Sequence, residues 1–232
     1  MSTLISALLG CNSGQKTAKI AQTLLQEKHG ETFTVVSYGD RYYKDTTTLH
    51  IYPDADPDLY FKALVSDDGE LTRDEYPNRA AARQLEDQVK AIWAKEGIEV
   101  SCFTFLAYYV PEAKAGLTSY QFAETYDSDH VTVTMTIKNN EAVTAETIER
   151  VYNQFPALLP NMPWGTGLCF LNEEDFEATK TPILHDVEIF DISRLGSLGA
   201  EGDIFELVLQ IQDGKLVQST EEITTLLQGE VG

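Results

Sequence analysis

Segments typical of β-strands occur in groups of three along this 232-residue chain, instead of singly between helices. These segments are rich in β-branched and aromatic residues and end at turn residues such as Gly, Pro and Asp. The two groups lie at 32–38, 47–52 and 59–65, and near 167–171, 184–192 and 204–211. Because helices do not alternate with single strands, a doubly wound parallel sheet is disfavoured. We expect an α+β fold with mostly antiparallel sheets.

About four helices are expected between and around these strands. One begins near Lys16 and ends at Gly30, and another carries apolar residues on one face from Leu85 to Trp93. A third is centred on residues 148–155. The last begins at Ser219, where a Glu three residues later forms a capping-box pattern. Two longer strands, at 98–110 and 130–138, complete the element order α-β-β-β-α-β followed by β-α-β-β-β-α.

The run α-β-β-β-α occurs twice, which is consistent with two similar halves. One local match supports a duplication, because residues 58–71 align with 203–216 at a constant offset and share an Asp-Gly turn. A strand ending in Asp-Gly is also common in unrelated hairpins. The segment 111–129 is loop-like or weakly helical. We therefore place a boundary there, between an α+β module at 1–116 and an acidic α+β module at 117–232, which could also pack as one domain.

Charge is distributed unevenly between these modules. The whole chain has 17 basic and 37 acidic side chains, a formal charge of −20. Residues 1–116 hold 12 basic and 17 acidic side chains, a net of −5, whereas residues 117–232 hold 5 and 20, a net of −15. Such a chain is repelled by phosphate backbones, so conventional nucleic-acid binding is disfavoured. A cationic protein partner would be attracted, although solvation alone also explains a charged surface.

These observations favour a soluble, non-enzymatic binding or accessory protein whose acidic second module meets a protein partner. No apolar run approaches the roughly 20 residues of a membrane-spanning helix. No intrinsic cofactor is expected. The alternative is a hydrolase-type enzyme with a site at Asp129 and His130, since a histidine beside a carboxylate can act in proton transfer. A third hypothesis is nucleotide binding at residues 10–17, which depart from the P-loop pattern by an extra Gln before the Lys.

Acidic clusters offer weak candidates for a cation site, because hard cations prefer oxygen ligands. The candidate ligands are Asp127, Asp129, Glu173, Glu174 and Asp175. An alternative for the last three is the negatively charged first turn of a helix. The acidic turn at 53–58 lacks the Gly and Glu of an EF-hand, and the four histidines have no zinc-binding spacing. No specific metal site is therefore predicted.

The chain has three cysteines with different surroundings. Cys102 and Cys169 lie in apolar, strand-like runs, where a free cysteine packs as a small hydrophobic residue. Cys11 follows Leu8-Leu9-Gly10, a loose version of a bacterial lipoprotein cleavage box, although no basic residue precedes the apolar segment. Cytoplasmic location is expected from the chain as written. If synthesis starts upstream, Cys11 is a lipidation candidate at the cell envelope, and the other two cysteines could pair there.

One stretch resembles a pattern found in uncharacterised proteins of Gram-positive bacteria, many of them lipoproteins. The residues that carry the resemblance are L-L-Q-E-K-H-G-E-T-F-T-V-V-S at 24–37 and D-D-G-E-L-T-R-D-E-Y at 67–76, with the helix and strand that follow, to Phe105. This covers about a third of the chain. The resemblance implies a small α+β module, at the cell envelope or in the cytoplasm. It implies no activity and no catalytic residue.

Overall fold

A computed structural model describes residues 3–39, 45–106, 110, 112–185 and 205–229, with backbone alone at 3–13, 180–185 and 205. The chain forms two compact units, the first made of residues 1–79 with 109–115 and the second of 80–108 with 116–232. The chain passes from one unit to the other inside a helix, after Arg79. The division expected from the sequence, between modules at 1–116 and 117–232, stays a prediction.

The first unit contains a long helix and a four-stranded sheet. Its elements are α1 Thr3–His29, β1 Phe33–Gly39, β2 Thr46–Pro53, β3 Phe61–Ser66 and β4 Leu71–Asp74. The strands lie in the order β1-β2-β3-β4, and each pair is antiparallel. Each connection joins neighbouring strands, so the sheet is a simple meander.

Apolar residues of both elements form the core of the first unit. Buried side chains of α1, such as Ala21 and Leu25, recur on one face of the helix, which packs against the sheet. The helix ends where Gly30 adopts a φ of 75°, a left-handed conformation that favours glycine. Phe33 and Phe61 pack edge to face, with ring centroids 5.8 Å apart.

The second unit contains a five-stranded mixed sheet. Most of α2 Tyr76–Lys95 belongs to it, followed by β5 Val100–Phe105, α3 Ser119–Thr125, β6 Val131–Lys138, α4 Ala145–Tyr152, a 3₁₀ turn at Phe155–Ala157, β7 Trp164–Leu171, α5 Glu173–His185, β8 Phe205–Gln212, β9 Lys215–Leu216 and α6 Thr220–Leu227. The order is β5-β6-β7-β8-β9. The β6–β7 pair is parallel and the other pairs are antiparallel. A parallel pair requires a crossover, which α4 provides.

Apolar side chains on one face of this sheet form the core of the second unit. The strict alternation of β6 buries Val131, Val133, Met135 and Ile137, as the sequence predicts. Their cross-strand neighbours on β7 include Trp164 and Leu168. The Trp164 ring stacks on Phe155, at a centroid distance of 5.2 Å, so the turn after α4 is held against the sheet.

The predicted fold class is confirmed, and several details need correction. The described residues contain six α-helices instead of about four. Helix α1 begins at Thr3, well before Lys16. Within 111–129, the segment expected to be loop-like or weakly helical, α3 extends from Ser119 to Thr125. The strand predicted at 184–192 is wrong where it can be compared, because α5 continues to His185; residues 186–192 lie outside the described residues. The capping box at Ser219 and Glu222 is confirmed.

Candidate functional site

Asp129 and His130, the weak catalytic candidates from the sequence, lie immediately before β6 and contact each other. His130 Nδ1 lies 2.6 Å from Asp129 Oδ1. The side chains are 43% and 84% exposed, respectively, so water competes for both groups. This contact leaves Nε2 as the ring atom that could exchange a proton with a substrate. The pair has the chemistry of an acid–base dyad, at an open position on the surface.

The candidate cation ligands have separate positions and partners. Asp127 is exposed in the turn after α3, at a φ of 47°, and Glu174 is exposed in the first turn of α5. Asp175 is buried and accepts a hydrogen bond from Asn172 Nδ2 at 2.7 Å, while its N–H donates to Asn172 Oδ1. Within the described ranges, no group of three His, Cys, Asp or Glu side chains could hold a metal ion.

Glu173 belongs to an acidic cluster that sequence reasoning did not identify. Lys138 Nζ, at the end of β6, lies 2.7 Å from Glu173, 3.8 Å from Glu177 and 4.0 Å from Glu99. We call these four residues the Lys138 cluster. The hydrogen bond to Glu173 raises the pKa of the Lys138 ammonium, so the lysine stays charged. One positive charge among three carboxylates leaves a net charge of −2 on this surface.

A second histidine–aspartate pair, between His29 and Asp74, is buried in the first unit. His29 Nε2 and Lys28 Nζ lie 2.7 and 2.8 Å from the same Asp74 oxygen, Oδ2. The other carboxylate oxygen accepts the backbone N–H of Tyr76 at the start of α2. The His29 and Asp74 side chains are 3% and 2% exposed. The carboxylate therefore joins the end of α1 to the junction of β4 and α2.

The surroundings of this pair determine its electrostatics. Burial alone would raise the pKa of Asp74, but hydrogen bonds from His29 and Lys28 outweigh it and lower that pKa. The His29 ring also packs against the ring of Tyr76, with centroids 4.9 Å apart. Burial, followed by a hydrogen bond to Glu31, raises the pKa of the Tyr76 hydroxyl, which donates to Glu31 Oε1 at 2.7 Å. The His29, Asp74 and Tyr76 side chains lie away from solvent and stabilise the fold.

The buried cysteines are poorly suited to nucleophilic catalysis. Burial raises the pKa of the Cys169 thiol to about 12, and burial also raises the pKa of Cys102. Both thiols are therefore protonated at neutral pH, and only a thiolate attacks efficiently. Cys102 faces the apolar core beside Met135, whereas Cys169 is on the other face of the sheet beside Thr136. Both are free, so the pairing considered from the sequence is wrong.

The structure contradicts a phosphate-binding loop at residues 10–17. These residues lie inside the continuous helix α1, which begins at Thr3. A P-loop presents successive backbone N–H groups to phosphate, whereas N–H groups in the interior of a helix bond to carbonyls four residues earlier. The nucleotide-binding hypothesis is therefore withdrawn. Cys11, the lipidation candidate, also has its backbone within α1.

Helices with the length and apolar character needed to cross a membrane do not occur in the part of the chain that the structure describes.

Comparisons with known proteins identify similarity at the level of the fold. No protein-family model matches the chain, and no curated protein matches its sequence. Among solved structures, the chain is similar to the crystal structure of a DUF5037 family protein from Ruminococcus gnavus ATCC 29149. The TM-score is 0.66 and the sequence identity is 17%, over 91% of this chain and 99% of that chain. At this identity the likeness shows a shared α+β fold, without transferring an activity.

Proposed function

We propose that this chain is a non-enzymatic binding or accessory protein that contacts a cationic protein partner through the acidic surface of residues 117–232. The observation that carries the proposal is the Lys138 cluster, in which Lys138, Glu173 and Glu177 of these residues meet Glu99 of the same unit, so that three carboxylates share one ammonium on an exposed surface. Glu173 is 77% exposed, so its carboxylate is accessible to another protein. An exposed acidic surface steers a basic partner toward itself.

The rest of the second unit is also acidic. Exposed acidic residues of the second unit outnumber its exposed basic residues among the side chains that are described. Those acidic residues are Asp87, Glu99, Glu124, Asp127, Asp129, Glu141, Glu146, Glu173, Glu174, Glu177, Glu206, Asp213, Glu221 and Glu222. The exposed basic ones are Lys95, Arg150 and Lys215. A field of this sign attracts a partner over about a Debye length, roughly 8 Å at physiological ionic strength.

A charge-neutralising variant tests this proposal. The triple variant E99Q/E173Q/E177Q removes three charges from the Lys138 cluster and leaves its side chains nearly unchanged in size. The matched control, E27Q/D58N/E70Q, removes three charges from exposed positions of the first unit. Each protein is cross-linked in host cells, and the Lys- and Arg-rich partners are quantified by mass spectrometry. We expect the cluster variant to lose the partner several-fold and the control to retain it.

Two results would reject the acidic-surface proposal. One is an equal loss of partner in both triple variants, which would indicate a nonspecific effect of net charge. The other is partner recovery that is unchanged in the cluster variant and insensitive to added salt. The association rate is then measured with purified complexes at several salt concentrations. If electrostatic steering operates, this rate should fall as ionic strength rises.

The hydrolase hypothesis at Asp129 and His130 is the second candidate function. The observation in its favour is the 2.6 Å contact between the ring nitrogen and the carboxylate. The high exposure of both side chains disfavours it, because a hydrolytic dyad gains most from a site that excludes water. Hydrolysis of an activated nitrophenyl ester is compared between the native chain and H130Q. Turnover that disappears in H130Q would support an enzyme, and equal rates would reject this site.

Lipid anchoring at Cys11 is a separate proposal about location. It is supported by Leu8-Leu9-Gly10-Cys11 and by the resemblance of residues 24–105 to proteins that include lipoproteins. Processing before Cys11 would leave residues 11–29 of α1. Intact mass of the native protein from its host tests this. A diacylglyceryl mass on a chain starting at Cys11 would support anchoring, and an unmodified full-length mass would reject it.

A further inference from the structure

Strand β1 is an uncharged edge strand with exposed apolar side chains. It lies at the end of the first sheet, where β2 is its neighbour on one side. Its sequence, F-T-V-V-S-Y-G, contains no charged residue, in a chain that is 23% charged. Val36 is 51% exposed and Tyr38 is 41% exposed, two of the five exposed large hydrophobic residues that the described chain contains. Such an edge is a template for pairing with another strand.

Within the described part of the chain, the protection of this edge is incomplete. Proteins usually block an edge strand with lysine, proline, a bulge or a covering element. Here the register with β2 shifts between Val35 and Ser37, so Val36 forms a bulge, and neither lysine nor proline accompanies it within the strand. The last four residues, from Val36 to Gly39, are exposed. Backbone groups at this end are therefore near solvent.

Carboxylates beside the start of β1 indicate which strand would fit. Glu31 lies two residues before the strand. Asp54 is exposed and accepts a hydrogen bond from the Thr34 hydroxyl at 2.7 Å, while its N–H donates to Thr32 O. A lysine or arginine near one end of an added strand would reach these carboxylates by extending over β1, because Asp54 follows β2 and lies on that side of the strand. A second copy of this chain is less suitable, because two molecules of charge −20 repel each other.

We propose that β1 accepts an extended segment of a partner protein as an added strand, with β-branched residues along the edge and a lysine or arginine beside Glu31 and Asp54. Backbone hydrogen bonds to the edge provide affinity, and the flanking charges select the partner and its direction. The site is in the first unit and does not depend on the acidic surface of residues 117–232.

A short synthetic peptide tests strand addition on the full-length chain. The probe alternates threonine and valine and has a lysine at each end, and a version with two central prolines cannot form a strand ladder. We expect saturable binding of the first peptide and slower hydrogen exchange of the amides from Phe33 to Gly39. The proline peptide should not bind. V36K should weaken binding roughly ten-fold, as a charge on the edge opposes pairing.

The matched control is V208K, which adds the same charge to another exposed valine, 55% exposed on β8. V208K should bind the peptide as tightly as the native chain, and circular dichroism checks that both variants are folded. Peptide binding without protection of β1 would overturn the proposal, as would equal weakening by V36K and V208K. Protection of β1 that increases with protein concentration alone would also overturn it, because a second copy would then be the occupant.

Discussion

The two histidine–aspartate pairs of this molecule have nearly the same length and opposite surroundings. His29 and Asp74 are 2.7 Å apart with side chains at most 3% exposed, whereas His130 and Asp129 are 2.6 Å apart with side chains at least 43% exposed. The distance between the two groups is therefore a poor guide to their energetic role. Removing one partner of a buried pair leaves a polar group without water, while removing a partner on the surface exposes the other to solvent.

The largest expected effect is that of Asp74→Asn. The amide cannot serve as a charged acceptor for His29 and Lys28, so we expect the first unit to lose about 3 kcal/mol of its free energy of unfolding. Both tryptophans, Trp93 and Trp164, are in the second unit, so their fluorescence does not report this loss. Hydrogen-exchange mass spectrometry on peptides from β1 to β4 measures it. If these peptides exchange as slowly in D74N as in the native chain, the structural role of the pair is contradicted.

His29→Gln removes the ring from the same network. Glutamine retains a hydrogen-bond donor but loses the ring contact with Tyr76, so a loss of about 2 kcal/mol is expected in the first unit. The measurement is the same hydrogen-exchange experiment. Peptides of the second unit serve as an internal control and should exchange at the native rate. A uniform change across both units would indicate global destabilisation instead.

Acid should reduce the stability that the buried pair contributes, because the pKa of Asp74 is lowered in the folded chain. Because the folded carboxyl binds a proton less readily than the unfolded one, whose pKa is near 3.8, the unfolded chain binds more protons in acid. The contribution of Asp74 is fully present above that value and is lost as the pH falls through the lower folded pKa. The stability difference between the native chain and D74N should therefore shrink in this range. A difference that grows toward acid would contradict this account.

The smallest effects are expected at the exposed pair. Asp129→Asn and His130→Gln should each change the free energy of unfolding of the second unit by less than about 0.5 kcal/mol, since exposed ion pairs contribute little. Urea titration followed by tryptophan fluorescence measures this unit. A loss of several kcal/mol from either substitution would show that the pair is structural. If stability is unchanged, Asp129 and His130 have no structural role, and a role in the hydrolase hypothesis stays open to the nitrophenyl ester test.

Local signals in the sequence predicted much of the fold. The alternation of 130–138 identified β6, and the Ser219 box identified the start of α6, because both patterns are contained in a few neighbouring residues. Strand β4 was missed. It has four residues without an alternating apolar pattern, and it forms because the turn at Gly69, with a φ of 87°, returns the chain onto β3.

The buried pair could be predicted only in part. The helix predicted to end at Gly30 does so, which places His29 in its last turn. Asp74, the partner of His29, lies 45 residues away, so their contact depends on the packing of α1 against the sheet. The aligned segment 58–71 contains β3 and the first residue of β4, and 203–216 contains the hairpin β8–β9, but the sheets around them differ, since only the second has a parallel pair. Shared turn chemistry explains the match without requiring similar halves.

A double-mutant cycle on each pair tests the central claim most directly. The cycle compares D74N, H29Q and their double variant in the first unit with D129N, H130Q and their double variant in the second. Burial predicts a coupling energy of about 2 kcal/mol for His29 and Asp74 and less than about 0.5 kcal/mol for Asp129 and His130. Equal coupling energies, or a larger one at the exposed pair, would contradict the claim that burial separates them.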